Sequence, residues 1–259
     1  MEKLLGRMYK WWYFTIYVFR LNFVYLINEM LTSLNKTFFL LSSLIIFTFI
    51  QKENTEVISY LIIGNLFFAT TDANNAWFLG NYIKDGKLAR ILILPQNIFK
   101  YLFFNGLSNT FYMAITYLVS LIPLSILFSS SLNFSNNIIY LVLFWPIPVI
   151  IRLFLEILTG LTAFWTTEFY GAAFLNTNFL NFFSGSLFPL LFILDKFPIL
   201  GYTPYSLILH HPMQIYLGKY DTNQTILVFL GGIIWCVILY FLAKLVFKLG
   251  LKRNESVGL

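Results

Sequence analysis

Six stretches of the chain are apolar over the length of a bilayer: residues 27–50, 57–83, 101–128, 138–165, 171–193 and 225–247. A helix rises about 1.5 Å per residue, so about 20 such residues cross the hydrocarbon core, and each stretch predicts one spanning helix. Residues 1–20 read differently, because Lys3, Arg7 and Lys10 fall on one helical face and Leu4, Leu5, Met8 and Trp12 on the other. That pattern predicts an amphipathic helix lying along the membrane surface. No short apolar core followed by a small-residue cleavage site accompanies it, which argues against a signal peptide. The expected architecture is all-α and integral to the membrane, a single transmembrane domain over 1–259.

Of the five connections between the apolar stretches, four are short and one is long. The long one precedes the last span, and Pro189, Pro198, Pro204 and Pro212 divide it into brief apolar pieces. Such a segment is too interrupted to span and too apolar for an ordinary solvated loop, so residues 194–223 predict outer helices that re-enter or rest on the membrane. The loops QKENTE and SSSLNFSNN are small and polar.

Composition agrees: 59% of residues are hydrophobic, 11% are charged, and the mean hydropathy is +0.76. The basic residues set the orientation. Twelve of them (Lys3, Arg7, Lys10, Arg20; Lys84, Lys87, Arg90, Lys100; Lys244, Lys248, Lys252, Arg253) fall on one side of the expected spans, against Lys52, Lys196 and Lys219 on the other. The positive-inside rule then places both termini in the cytoplasm of an inner (plasma) membrane protein. The net charge of +6 reads as topology and contact with anionic lipid, with no nucleic-acid partner implied.

Chemistry is sparse. Cys236, the single cysteine, sits among apolar residues and reads as a core side chain. His210 and His211 are adjacent; consecutive helical residues point about 100° apart and no HExxH spacing accompanies them, so polar anchoring is the default and no metal or catalytic site is expected. The string GNYIKDGKL (80–88) has five residues between its glycines and Leu88 where a Mg²⁺-binding hydroxyl is needed, so it is not a nucleotide site. Active transport by this chain therefore needs ATP bound elsewhere or an ion gradient. The N-x-S/T strings at Asn35, Asn133, Asn223 and Asn254 carry little weight in an Asn-rich chain.

Charges inside the spans are informative. Asp72 and Arg152 are each roughly 20 Å below the outer surface if their helices run outside to inside. Glu156 follows Arg152 by four residues and shares its face. A lone charge at mid-bilayer costs on the order of 3 kcal/mol, so these three predict one paired cluster. A packing ion pair and a role in the substrate path both fit it. Glu29 and Lys36, seven apart in the first span, fit snorkelling toward its ends.

The cytoplasmic connection DGKLARILILPQNIF, with Gly86, Leu88, Leu94 and Pro95, resembles the corresponding segment of ABC-2-type transporter permeases. The strings GLTAFWTTEFYG, FSGSLFPL, HPMQIYLGK and LGLKRNESVGL extend the resemblance over nearly the whole chain in the same order. It implies the six-span permease subunit of an ATP-binding-cassette transporter, usually an exporter, that pairs with itself or with a second permease. Two separate ATPase subunits would carry the ATP and Mg²⁺. It further implies that 84–97, with Gly86, Lys87, Leu88, Arg90, Ile91, Leu92 and Pro95, is a coupling element docking on the ATPase. The surface helix of 1–20 would touch the same partner, and 194–223 would close the exit side. A gradient-driven secondary transporter using Asp72, Arg152 and Glu156 is the rival, and it would normally show more spans, internal repeats or helices broken at the midplane. An intramembrane enzyme would need a nucleophile and base within the spans, and none is visible.

Overall fold

The computed structural model describes residues 2–27, 55–93, 97–127, 137–166 and 169–257, with isolated positions between 30 and 45. Most of the first expected span, with Glu29, Asn35 and Lys36, lies outside the described residues, as do residues 51–54 and 129–136 of the two polar loops (with Lys52 and Asn133), Leu94 and Pro95. The described residues are helical, without strands: α1 (Glu2–Asn22), α2 (Thr55–Ala69), α3 (Asn75–Lys84), α4 (Leu88–Leu92), α5 (Ile98–Leu127), α6 (Ile138–Phe144), α7 (Pro146–Leu161), α8 (Tyr170–Ser184), α9 (Leu191–Leu194), α10 (His210–Tyr216) and α11 (Thr222–Val257). Two helical stretches among them, Pro146–Phe164 and Thr222–Arg253, are long and apolar enough to cross a membrane.

The single helix expected over 57–83 is in fact two. Thr70 and Thr71 turn their hydroxyls onto the carbonyls of Phe67 and Phe68, and Asn74 adopts a left-handed backbone (φ +51°) before α3 begins. Short polar side chains that bond the local backbone compete with helix continuation, and here they interrupt it. The stretch expected over 171–193 also ends early, at Ser184, where Gly185 (φ +91°) supplies the left-handed cap that glycine adopts without strain. At 15 residues, α8 is about 22 Å long. The 138–165 stretch keeps its bounds but divides in two: Pro146 has no N–H to donate, so α6 and α7 meet at Trp145.

Glycines let the inner helices approach closely. A methyl group on Gly80 would sit 2.3 Å from the Phe169 ring, and one on Gly160 would meet the Ala76 carbonyl at 3.0 Å. α3 therefore lies flat against α7, and α11 covers another side of α7. α1 runs two residues beyond the expected surface helix and packs beside the first half of α5. There Trp11 stacks on Phe104 at 5.0 Å, the Ser108 hydroxyl donates to the Thr15 carbonyl at 2.9 Å, and Asn22 donates to Asn109 Oδ1 at 2.8 Å.

The long proline-rich connection folds into α9, a 3-10 turn at Pro198–Tyr202 and α10, strapped over α2. Tyr60 donates to the Gly185 carbonyl (3.2 Å), Asn65 to that of Ser186 (3.3 Å), and Lys219 pairs with Glu56 at 2.8 Å. His211 ties the strap together. Its Nε2 lies 2.7 Å from the Gly201 carbonyl, which can only accept, so Nε2 carries the proton and Nδ1 accepts from the Tyr220 hydroxyl at 2.8 Å. Burial lowers the His211 pKa and pushes that of His210 down to about 3.

Burial thus favours the neutral form of both imidazoles in the folded protein, whereas an unfolded one takes a proton near pH 6.5. The unfolded state binds more protons below that pH, so stability present above about pH 6.5 is lost as pH falls toward 3. For His210 the loss at pH 5 is about 2 kcal/mol. The thermal midpoint of the detergent-purified protein should fall between pH 7.5 and pH 5, and His210→Gln should shrink that fall. An acid shift of unchanged size in the variant would place the titration elsewhere.

Candidate functional site

The interruption of the second apolar stretch and the charges on the fourth occupy one place. Ending α2 at Ala69 and restarting at Asn75 strands carbonyls at one helix end and N–H groups at the next. Arg152 and Glu156, one turn apart on α7, supply their partners. The Arg152 guanidinium donates through Nη1 to the Phe68 carbonyl (3.0 Å) and the Thr71 hydroxyl (3.1 Å), through Nη2 to Asp72 Oδ2 (2.9 Å) and through Nε to Glu156 Oε1 (3.0 Å). The other oxygen of Glu156 accepts the backbone N–H of Asn75 at 2.8 Å, a carboxylate at a helix N-terminus. Asp72 Oδ1 accepts from the Asn74 N–H at 3.2 Å.

The structure thus brings Asp72, Arg152 and Glu156 together. Arg152 and Glu156 are 8% and 5% exposed at their side chains and Asp72 is 15%. Only a planar, five-donor group can serve four acceptors this way, which gives arginine its place here. The Phe68 ring lies 4.5 Å from the guanidinium carbon and closes one face of the site.

Other members of the cluster had no part in the sequence reading. Asn109 donates to the Ala73 carbonyl at 3.1 Å and accepts from Asn22, so α1 is bonded through α5 to the interruption. Asn75 donates from its side chain to the Leu102 carbonyl at 3.3 Å, and Trp145 donates its indole N–H to the Thr70 hydroxyl at 3.0 Å. The run Thr70-Thr71-Asp72-Ala73-Asn74-Asn75 was the available signal: six small or polar residues inside an apolar stretch.

The connection after α3 divides into parts with different surroundings. Gly86, at φ +69° with open space around it, turns the chain between α3 and α4, and Lys87 bridges to Asp85 at 2.6 Å in the open. Leu88 is 2% exposed and belongs to the chain's own inner core, which corrects the expectation that it shares a partner-facing surface with Leu92. Arg90, Leu92 (44%) and Ile93 (82%) are exposed. Ile91 is helical, but its side chain lies outside the described residues, as does all of Pro95. The glycines of the 80–88 string are far from forming a phosphate loop: Gly80 is inside α3, against Phe169.

Among the described residues no group of three or more His, Cys, Asp or Glu is arranged to hold a metal ion. No curated protein and no solved structure matches this chain. The family model described as ABC-2 family transporter protein matches residues 48–258. That match covers both halves of the interrupted apolar stretch, the charged cluster, the turn at Gly86 and the proline-rich strap, and by it the chain belongs to the ABC-2 family of transporter membrane proteins.

Proposed function

We propose that this chain is the permease subunit of an ATP-binding-cassette exporter. It crosses the inner membrane six times with both termini in the cytoplasm, forms the substrate pathway with a second permease copy or a related chain, and is driven by two separate ATPase subunits. The family supplies transport. Support for coupling comes from the ledge after Gly86: Leu88 anchors α4 to the inner core while Leu92 and Ile93 project outward beside Lys87 and Arg90. An exposed apolar pair on a buried anchor fits a groove on a partner. The same anchor hands force directly to α3, whose last turn holds Ile83 in that core.

One observation favours the gradient-driven alternative, namely a helix interrupted among buried charges, a feature of secondary transporters. Here, though, the freed backbone groups bond to α7 side chains rather than lining an open cavity. The two readings separate cleanly in experiment. The ATPase reading expects the tagged permease to co-purify with an ATP-binding-cassette ATPase. It also expects an impermeant thiol reagent to label a cysteine at Lys196 on intact cells, in a Cys236→Ser background, and to spare one at Lys87. Labelling at Lys87, or purification free of any ATPase, would count against it.

A further inference from the structure

α1 is fastened to α5 at three levels. Trp11 stacks on Phe104, and the Ser108 hydroxyl donates to the Thr15 carbonyl. The third contact goes further: Asn22 donates to Asn109 Oδ1 at 2.8 Å, and Asn109 donates from Nδ2 to the Ala73 carbonyl at 3.1 Å, inside the interruption. Ala73 is 0% exposed, and among the described residues its carbonyl has no other hydrogen-bond partner. A side-chain amide presents one accepting end and one donating end. The Ala73 carbonyl can only accept, so it takes the Nδ2 end of Asn109 and leaves Oδ1 for Asn22. Which way the Asn109 amide is turned therefore depends on what Asn22 offers it.

The interruption is thus gripped from α7 and from α5. On the α7 side Arg152 takes the Phe68 carbonyl, the Thr71 hydroxyl and Asp72, and Glu156 takes the Asn75 N–H. On the α5 side Asn109 takes Ala73, next to the left-handed Asn74. This second side is the less saturated one. Asn75 Oδ1 and Asn105 Nδ2 are both buried without a partner among the described residues, although one accepts and the other donates. The Asn75 amide lies on Gly106, the neighbour of Asn105: a methyl group there would meet its Nδ2 at 2.5 Å. A contact that leaves a buried donor and a buried acceptor unused on adjoining surfaces is under-bonded, and a second arrangement is open to it.

We infer that Asn109 is a positioning residue for transport, one that makes the backbone at 70–74 depend on how α1 sits. While Asn22 offers its N–H, Asn109 keeps its own N–H on Ala73, and the interruption holds the arrangement that Arg152 and Glu156 grip. Once Asn22 withdraws, the amide is free to turn and the Ala73 carbonyl loses its partner. Asn22 is the last residue of α1, just before a 3-10 turn at Phe23–Tyr25, so a small rotation or slide of the helix is enough to withdraw it. The dependence holds whether ATP or a gradient drives the transporter, so it does not rest on the ATPase-driven reading.

Amide hydrogen exchange of the full-length permease in nanodiscs tests it, read by mass spectrometry on a peptide covering 70–78. Asn22→Asp keeps the shape of the side chain but offers only acceptors, so Asn109 must turn its N–H toward α1 and away from Ala73. Exchange over 70–78 should rise at least about fivefold, the size of one net hydrogen bond. Asn22→Ala withdraws the donor without competing for Asn109, and its rise should be smaller. Ser108→Ala removes the neighbouring bond between α5 and α1 but nothing that reaches the interruption, so it should leave the peptide unchanged. In an Asn109→Leu background the two Asn22 changes should add nothing, because their path is gone. An equal rise for Ser108→Ala and Asn22→Asp would mean that α1 acts only by packing, and no rise in either Asn22 variant would mean that Asn109 holds the interruption without regard to α1. Either result overturns the assignment, as would a further rise on adding Asn22→Asp to Asn109→Leu.

Discussion

Arg152→Ala should all but eliminate folded protein. The change leaves two carboxylates, Asp72 and Glu156, on either side of a space the guanidinium filled, and it removes one partner each from the Phe68 carbonyl and the Thr71 hydroxyl. Breaking a buried pair by removing one member costs about 3–5 kcal/mol, comparable with the whole stability of many domains. Arg152→Lys should fail nearly as badly, since an ammonium is a point charge with three donors and cannot reach four acceptors in one plane. Asp72→Asn with Arg152→Gln removes one positive and one negative charge together. It should therefore cost less than the sum of its single changes by about 1–3 kcal/mol. Thermal midpoints from fluorescence-detected size exclusion measure all five variants, the two single changes included. Strict additivity would mean that the α2 end and α7 do not share this interaction in the membrane.

How much of this was legible beforehand depends on what kind of signal each feature leaves. The charge cluster was legible because depth in a helix is countable. Asp72 and Arg152 fall at the same level when their helices run the same way, and the four-residue step to Glu156 needs no structure to read. The interruption beside it was not, because it contains neither proline nor glycine. Its residues are threonine, aspartate, alanine and asparagine, tolerated inside helices, and they leave the helix where local threonine bonds compete with it and Arg152 and Glu156 take over backbone partners. The early end of α8 was signalled by Ser184-Gly185-Ser186, yet the apolar residues beyond it mask that stop when only hydropathy is counted. Leu88 failed for a geometric reason. A positive-φ turn at Gly86 redirects the chain just before a five-residue helix, and no periodicity over so few residues tells which face is turned inward.

The same geometry dictates how the contact proposed at the ledge after Gly86 must be probed. Leu88→Asp would bury a carboxylate among apolar neighbours at a site only 2% exposed, so it should destabilise the permease by several kcal/mol and say nothing about docking. Leu92 and Ile93 are the informative positions: they are 44% and 82% exposed, and a charge there remains solvated in the free chain. Leu92→Asp with Ile93→Asp should leave the thermal midpoint of the isolated permease within about 1 kcal/mol of the parent, as exposed substitutions generally do. Its effect belongs to the complex. Apolar anchors at a docking surface commonly contribute about 2 kcal/mol or more each, and two carboxylates pressed into an apolar groove add a desolvation cost. Co-purification of the ATPase should therefore fall at least about thirtyfold, equivalent to about 2 kcal/mol, and stimulation of its ATP hydrolysis by the permease in proteoliposomes should vanish with it. Lys87→Ala and Arg90→Ala, which remove charge from the rim, should weaken association by a smaller factor that high salt erases in the parent too. A double aspartate variant that inserts normally and still binds and stimulates the ATPase like the parent would rule out the ledge after Gly86 as the coupling contact. It would direct attention to α1, whose Asn22 reaches the interrupted span through Asn109 by a separate route.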